Sequence, residues 1–292
     1  MVVLFNELKI VICMAILESK MSVREGVHVG TCGWSYPEWN GVFYGTRTPM
    51  LQQYLCYFDV AEINATFYGP LKDSFVEYLA TSLPERKFFT AKIPHRVTHN
   101  NRLDLFSEAG ELLTEFLVKM KPMRSNLEVL LIQLPPWDIA TFASLESFLS
   151  ALDFSYRYAI EFRHRSWLTQ RVWTLLEAYD IAYVIVDEPA LPIDLRVTTD
   201  FVYLRLHGHG INPWYNYCFT TRELEAWRDR VNILTEENDS VFLFFNNHFY
   251  GYGPTNALQL LDLLGIINPR QKAKLEHMIP RISMSQTTLD EF

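Results

Sequence analysis

Glu62, Lys92, Glu161, Arg163, Arg205 and His207 are the residues whose types and spacing best fit a reaction centre, each at or just beyond the end of a short apolar run. Strand side chains alternate, so in Phe201 to His207 the residues Tyr203, Arg205 and His207 share one face and Val202, Leu204 and Leu206 take the other. The same parity sets Glu161 with Arg163 and Glu62 with Asn64, while Gln133, Asp187 and Asn246 add polar groups at the ends of three further runs. A carboxylate beside an arginine is held ionised and one beside another carboxylate resists ionisation, so such a set keeps a base and an acid side by side at neutral pH. Glu161 is the expected acid-base group, with His207 as its partner or alternate. Lys92, Arg163 and Arg205 suit a phosphate or carboxylate on the substrate, arginine through its two-pronged geometry. A purely structural salt-bridge network is the competing reading, and the cost of burying charge weighs against it.

Eight elements must position these groups. The apolar runs Val27 to Gly33, Val60 to Asn64, Phe88 to Lys92, Leu127 to Gln133, Tyr158 to Arg163, Ile181 to Asp187, Phe201 to His207 and Ser240 to Asn246 predict strands buried on both faces. Helical spacing predicts helices over Leu51 to Tyr57, Lys72 to Leu83, Ser107 to Lys119, Thr141 to Leu152, Gln170 to Tyr179, Thr221 to Glu237 and Asn256 to Leu264. After Asp187 the run Glu188-Pro189-Ala190-Leu191-Pro192 breaks any helix and leaves room for a short one at most. Eight strands alternating with helices close most economically into a (β/α)8 TIM-type barrel, whose C-terminal mouth gathers the strand ends; an open doubly wound sheet is the alternative.

At 292 residues, 49% apolar and 14% aromatic, the chain fits one large domain without a linker or repeat. Its formal charge of −8 repels polyanions as a whole, so contact with nucleic acid would require a local basic patch. Four scattered cysteines without a CxxC pair fit a reduced, cytoplasmic protein and argue against a disulfide framework or zinc site. Ile10 to Leu17 is too short to span a bilayer and follows Glu7, so residues 1–26, with a second methionine at Met21, read as a dispensable extension and not as a membrane anchor. The barrel then covers 27–280, and 281–292 form a flexible tail.

Glu62, Glu161, Asp187 and His207 are of metal-ligating type, but zinc and manganese sites in barrels generally use several histidines, and His207 alone sits at a strand end. His95, His99, His209 and His248 lie in loops just beyond. A divalent metal is therefore not favoured, and no cofactor is assigned. Trp34 and Tyr36 after the first strand, Phe67 and Tyr68 after the second, and Trp214 and Tyr215 after the seventh suit either stacking on flat or sugar-like ligands or a hydrophobic lid.

Several strings resemble the domain-of-unknown-function 72, or YecE-like, family: Gly30-Thr31-Cys32-Gly33-Trp34-Ser35-Tyr36, Glu62-Ile63-Asn64-Ala65-Thr66-Phe67-Tyr68, Lys92 with Thr98-His99, Gln133-Leu134-Pro135-Pro136, Glu161-Phe162-Arg163-His164, Tyr203-Leu204-Arg205-Leu206-His207-Gly208 and Phe245-Asn246-Asn247. They run in order from about Val27 to Gly265. The resemblance implies a TIM-type barrel of unassigned activity whose motif residues coincide with the strand-end set. Gly69-Pro70-Leu71 departs from the family pattern, which usually keeps a basic residue there.

The last seven residues place Gln286, Leu289 and Phe292 at i, i+3 and i+6, so one tight turn would align Leu289 and Phe292 as a hydrophobic plug. This resembles the peptide by which replication and repair proteins dock on a PCNA-type sliding clamp. The combined expectation is an enzyme acting by acid-base or hydrolytic chemistry on an anionic, phosphate-bearing small molecule or nucleic-acid component. A metabolic enzyme for a small sugar or sugar phosphate, and a non-catalytic clamp-associated module, are the rivals.

Overall fold

Eight parallel strands run β1 (Val27–Thr31), β2 (Val60–Ile63), β3 (Phe88–Lys92), β4 (Leu127–Gln133), β5 (Arg157–Glu161), β6 (Ile181–Asp187), β7 (Phe201–Leu206) and β8 (Ser240–Phe245). They are hydrogen-bonded in the order β1-β8-β7-β6-β5-β4-β3-β2. The computed structural model describes residues 26–45, 49–84 and 86–290, with the backbone alone for 283–290. The N-terminal extension and Phe292 therefore lie outside the described residues, as do the side chains of Gln286 and Leu289.

Among the described residues the α-helices of five or more residues are α1 (Met50–Tyr54), α2 (Asp73–Ser82), α3 (Ala109–Met120), α4 (Leu145–Ser150), α5 (Gln170–Ala178), α6 (Thr221–Leu234), α7 (Tyr252–Leu263) and α8 (Pro269–Asp290), and Ala65–Tyr68 adds a single turn after β2. Several begin where a hydroxyl satisfies free backbone N–H groups. Thr220 and Glu223 form a reciprocal capping box at α6, Thr169 accepts from Val172 N at α5, and Ser144 accepts from Ser147 N at α4. Between β6 and β7 no described residue is helical, as Pro189 and Pro192 dictate. In place of a helix, Thr198 folds back along β6, accepting from Tyr183 N at 2.8 Å and donating to Ile181 O at 2.6 Å.

Alternation divides the core in two. Val29, Leu130, Ile160, Leu204 and Leu243 face outward and pack with Trp167, Trp173 and Trp227 under the helices. Val60, Val129, Ala159, Val184, Phe242 and Phe244 fill the barrel interior. Each fully buried side chain of this size contributes about 1.5–3 kcal/mol.

The β1–β2 seam closes differently from the other seven. A single parallel bridge joins Cys32 to Glu62. Below it the α1 side chain Tyr54 inserts its hydroxyl, accepting from Thr31 N at 2.9 Å and donating to Val60 O at 3.0 Å. The backbones approach so closely that a Cβ on Gly30 would lie 2.3 Å from Val60 O, so position 30 admits glycine alone without a shift.

Candidate functional site at the barrel mouth

The top of the barrel interior is polar, and its centre is Arg205. From β7 its Nη2 donates to Glu62 Oε1 at 2.7 Å and approaches Cys32 Sγ at 3.4 Å, and its Nη1 donates to Glu161 Oε2. Tyr203, one inward position earlier, donates to Glu62 Oε2 at 2.8 Å, and its hydroxyl lies 2.8 Å from Thr90 Oγ1. All of these side chains are buried. One guanidinium thereby joins carboxylates from opposite walls of the barrel.

Arg163 forms the next layer outward, bonded to Glu161, to Glu188 and, at 3.0 Å, to His207 Nε2. A guanidinium only donates, so Nε2 accepts and the ring proton of neutral His207 sits on Nδ1. Nδ1 in turn lies 2.8 Å from the Asn246 side-chain amide, whose oxygen must face it. Gln133 adds a bond to Glu161 Oε1 at 3.1 Å. Burial alone would raise the Glu161 pKa, but Arg163 and Arg205 outweigh it and hold the carboxyl far below its usual range. Burial first, then Arg163, pushes His207 well below its usual value.

These contacts bring together the two residues expected to do acid-base work and bond them heavily. Glu161 and His207 do meet in one cluster, yet Glu161 accepts from two arginines and a glutamine, and the His207 Nε2 lone pair is occupied by Arg163. Both act as anchors for Arg163. Two other groups retain free capacity. Lys92, 7% exposed at the end of β3, sets its Nζ 3.8 Å from the centre of the Phe67 ring. Among the described residues its ammonium has no hydrogen-bonding partner, and burial together with Arg205 lowers its pKa to about 7. Burial raises Glu188 to about 7 despite Arg163, and its Oε1 is buried without a partner. The Asn64 Oδ1 is likewise buried and unpartnered. His99, hydrogen-bonded to Thr98 Oγ1 at 2.9 Å, is pushed down to about 4 by burial and the neighbouring Lys92.

Asp187 does not join this cluster. It shares the outward parity of Tyr183 and Ile185, accepts from Trp227 Nε1 at 2.6 Å, and lies 2.6 Å from His209 Nε2. Glu188, the next residue, faces inward in its place. Trp34 is buried against Phe89, with ring centres 5.3 Å apart, and Tyr36 donates to Cys32 O at 2.6 Å while stacking on His248 at 4.5 Å. Trp34 thus packs into the wall, while Tyr36 is half-buried beside it. Tyr68, in contrast, is 77% exposed. Glu188, Cys32 and Thr90 went unselected in the sequence. All three lie on the inward parity of their strands; for Cys32 and Thr90 that parity is the signal that finds them, whereas the β6 sequence sets no phase from which to find Glu188. Among the described residues no group of three or more His, Cys, Asp or Glu side chains is placed to hold a metal ion.

A family model described as "Protein of unknown function DUF72" matches residues 28–280. The chain belongs to the DUF72 family. It is 28% identical over 286 residues to the UPF0759 protein YunF of Bacillus subtilis, covering 84% of this chain and 98% of that relative. It is 29% identical over 143 residues to the UPF0759 protein YecE of Escherichia coli, covering 47% of this chain and 48% of that relative. A solved DUF72 family protein from Thermotoga maritima superposes with a TM-score of 0.70 at 31% identity, over 82% of this chain and 99% of the other. A second, from Enterococcus faecalis, gives a TM-score of 0.70 at 22% identity over 83% and 98% of the two chains. Within this DUF72 barrel, the family motifs noted in the sequence and the buried cluster are largely the same residues.

Proposed function

We propose that this protein is an enzyme that binds a small anionic molecule at the barrel mouth and moves protons on it, with Lys92 and Glu188 as the groups that exchange them. The observation that carries this is a lysine and a carboxyl on the inward face of the same mouth, both brought to about 7, the lysine amine and the Glu188 Oε1 each lacking a hydrogen-bonding partner among the described residues. A group that titrates near working pH is present in both forms and transfers protons with the least loss in either direction. Arg163, 10% exposed at its side chain, supplies the anion contact, and the unpartnered oxygens of Asn64 and Glu188 await ligand donors. A carboxylate or phosphate ester fits these donors and acceptors. Glu161 and Arg205 fix Arg163 from beneath and need not touch the substrate.

The test uses a panel of carboxylates and phosphate esters, first screened by thermal shift and then incubated with the protein in deuterium oxide. The expected result is a binder that exchanges a carbon-bound or hydroxyl-adjacent proton for deuterium, seen by proton NMR, with exchange lost in Lys92→Met. Binders that are neither exchanged nor turned over would return the site to a recognition pocket without catalysis. No described helix is long and apolar enough to cross a membrane.

A further inference from the structure

Three features of Lys92 go beyond proton exchange. Its amine is unpartnered among the described residues, whereas the charged ends of Glu62, Glu161, Arg163 and Arg205 around it are all engaged. Its chain is fixed along its length: Thr66 Oγ1 donates to Lys92 O at 2.6 Å, and the carbons are buried. The Phe67 ring under Nζ is also a wall of a largely apolar cavity of about 270 Å³, lined further by Tyr68, Pro70, Pro94, His95 and Phe116. His95 holds the Phe67 segment in place, its Nδ1 2.6 Å from Phe67 O. A molecule lodged there has one aromatic ring between it and the amine.

We propose that Lys92 is a nucleophile that forms an imine with the carbonyl carbon of a small anionic aldehyde or ketone, a class of substrate that rests on the reading of the mouth given above. The neutral nitrogen attacks the carbonyl carbon, forming the C–N bond as the π pair moves to oxygen. Both amine protons leave with that oxygen as water, so one amine and one carbonyl give one imine and one water, with no oxidant or reductant required. Protonation of the imine nitrogen by the acid form of a neighbouring carboxyl gives an iminium that draws electrons from the adjacent carbon, and the carboxylate so formed takes the proton which that carbon releases. Burial, and after it the neighbouring cation Arg205, lowers the amine to about 7 so that a neutral fraction is present, and an apolar ring in place of a hydrogen-bond acceptor leaves its lone pair free.

Pyruvate, glyoxylate and dihydroxyacetone phosphate are incubated separately with the full-length protein and sodium cyanoborohydride, and the products are mapped by peptide mass. The expected result is a mass gain equal to the carbonyl compound less one oxygen atom, placed on Lys92, formed at least ten times faster than at any other lysine. Lys92→Met and Lys92→Arg both remove it, and the arginine variant keeps the positive charge if methionine disturbs folding. Adducts spread over surface lysines, with Lys92 no faster, overturn the imine. Pyruvate and dihydroxyacetone phosphate, the two probes that carry a proton on the carbon beside the carbonyl, are followed in deuterium oxide: exchange without an adduct leaves the proton-transfer reading standing and removes the covalent step, whereas the absence of both removes both.

Discussion

Asp187 and Glu188 are consecutive in the chain and face opposite sides of the barrel wall. The Asp187 carboxylate takes the Trp227 indole and lies against His209, while Glu188 reaches inward to Arg163. A one-residue step thus separates a carboxylate that fastens α6 to the sheet from one that belongs to the mouth.

Substitutions at the pair should diverge accordingly. Asp187→Asn leaves one of two donors without its acceptor and is expected to cost about 1–3 kcal/mol in denaturant unfolding, with anion binding at the mouth unchanged by calorimetry. In Glu188→Gln the opposite pattern is expected. Because the folded-state pKa is raised, Glu188 makes the wild type lose stability as pH rises from 4.5 to about 7, and the glutamine variant should be free of that loss.

Lys92 predicts a pH dependence at the other end of the scale. Its folded-state pKa lies below the ordinary 10.5, so the wild type gains stability as pH rises from about 7 to 10.5, where only the unfolded chain still holds that proton. Lys92→Met should therefore be more stable than the wild type below pH 7, with an advantage that fades toward pH 10.5. Melting curves across that range measure it. A constant difference would place the lysine in an ordinary, solvated state.

Removing the charge of Glu161 strands two arginines. Glu161→Gln is expected to cost about 3–5 kcal/mol at neutral pH, the usual consequence of breaking a buried ion pair from one side. The Glu161 pKa is depressed, so its contribution is present above the ordinary carboxyl range and lost as pH falls through the folded value, and the two proteins should converge in acid. Whatever turnover is found should fall by about a hundredfold or more, through loss of Arg163 placement.

For the C-terminal segment, a peptide of residues 285–292 is expected to bind a PCNA-type sliding clamp with a Kd of about 1–100 μM, since a short segment must be ordered against a small buried surface. Replacing Leu289 and Phe292 by alanine should abolish the calorimetric signal. In the full-length protein that double variant should leave the melting temperature of the barrel unchanged.

Strand positions were legible because each inward face announces itself with polar residues at its end: Tyr203 and Arg205 in β7, Glu161 in β5, Glu62 in β2. β6 has no such marker on its inward face, since from Ile181 to Val186 the one polar atom is the Tyr183 hydroxyl, which shares the outward parity of Asp187. With nothing to set the phase, Asp187 passes for the pocket residue and Glu188 for the start of a helix-breaking loop. Helix starts slipped where local capping intervened: Ile139–Thr141 forms its own turn and Ser144 then caps α4, so α4 begins at Leu145. At α7 the helix starts earlier than expected, at Tyr252, because Pro254 in the first turn has no N–H to lose. The contrast between a heavily bonded Glu161 and an unpartnered Lys92 amine was beyond the sequence for another reason. It depends on which carboxylates Arg163 and Arg205 choose and on Phe67 lying under the amine, and these are matters of tertiary packing.

The phenol of Tyr54 gives the barrel a clasp. Seven seams are held by ladders that must break cooperatively, but between Thr31 and Val60 the join is one hydroxyl carried on α1, and a side chain withdraws by rotation about a single bond. The sheet from β2 round to β1 is therefore complete as a curved ribbon before it is fastened, and it can part along one line without losing a strand. That line ends at the Cys32–Glu62 bridge, beneath the guanidinium of Arg205. The charged cluster at the mouth and the fastening of the wall are thus two ends of the same seam.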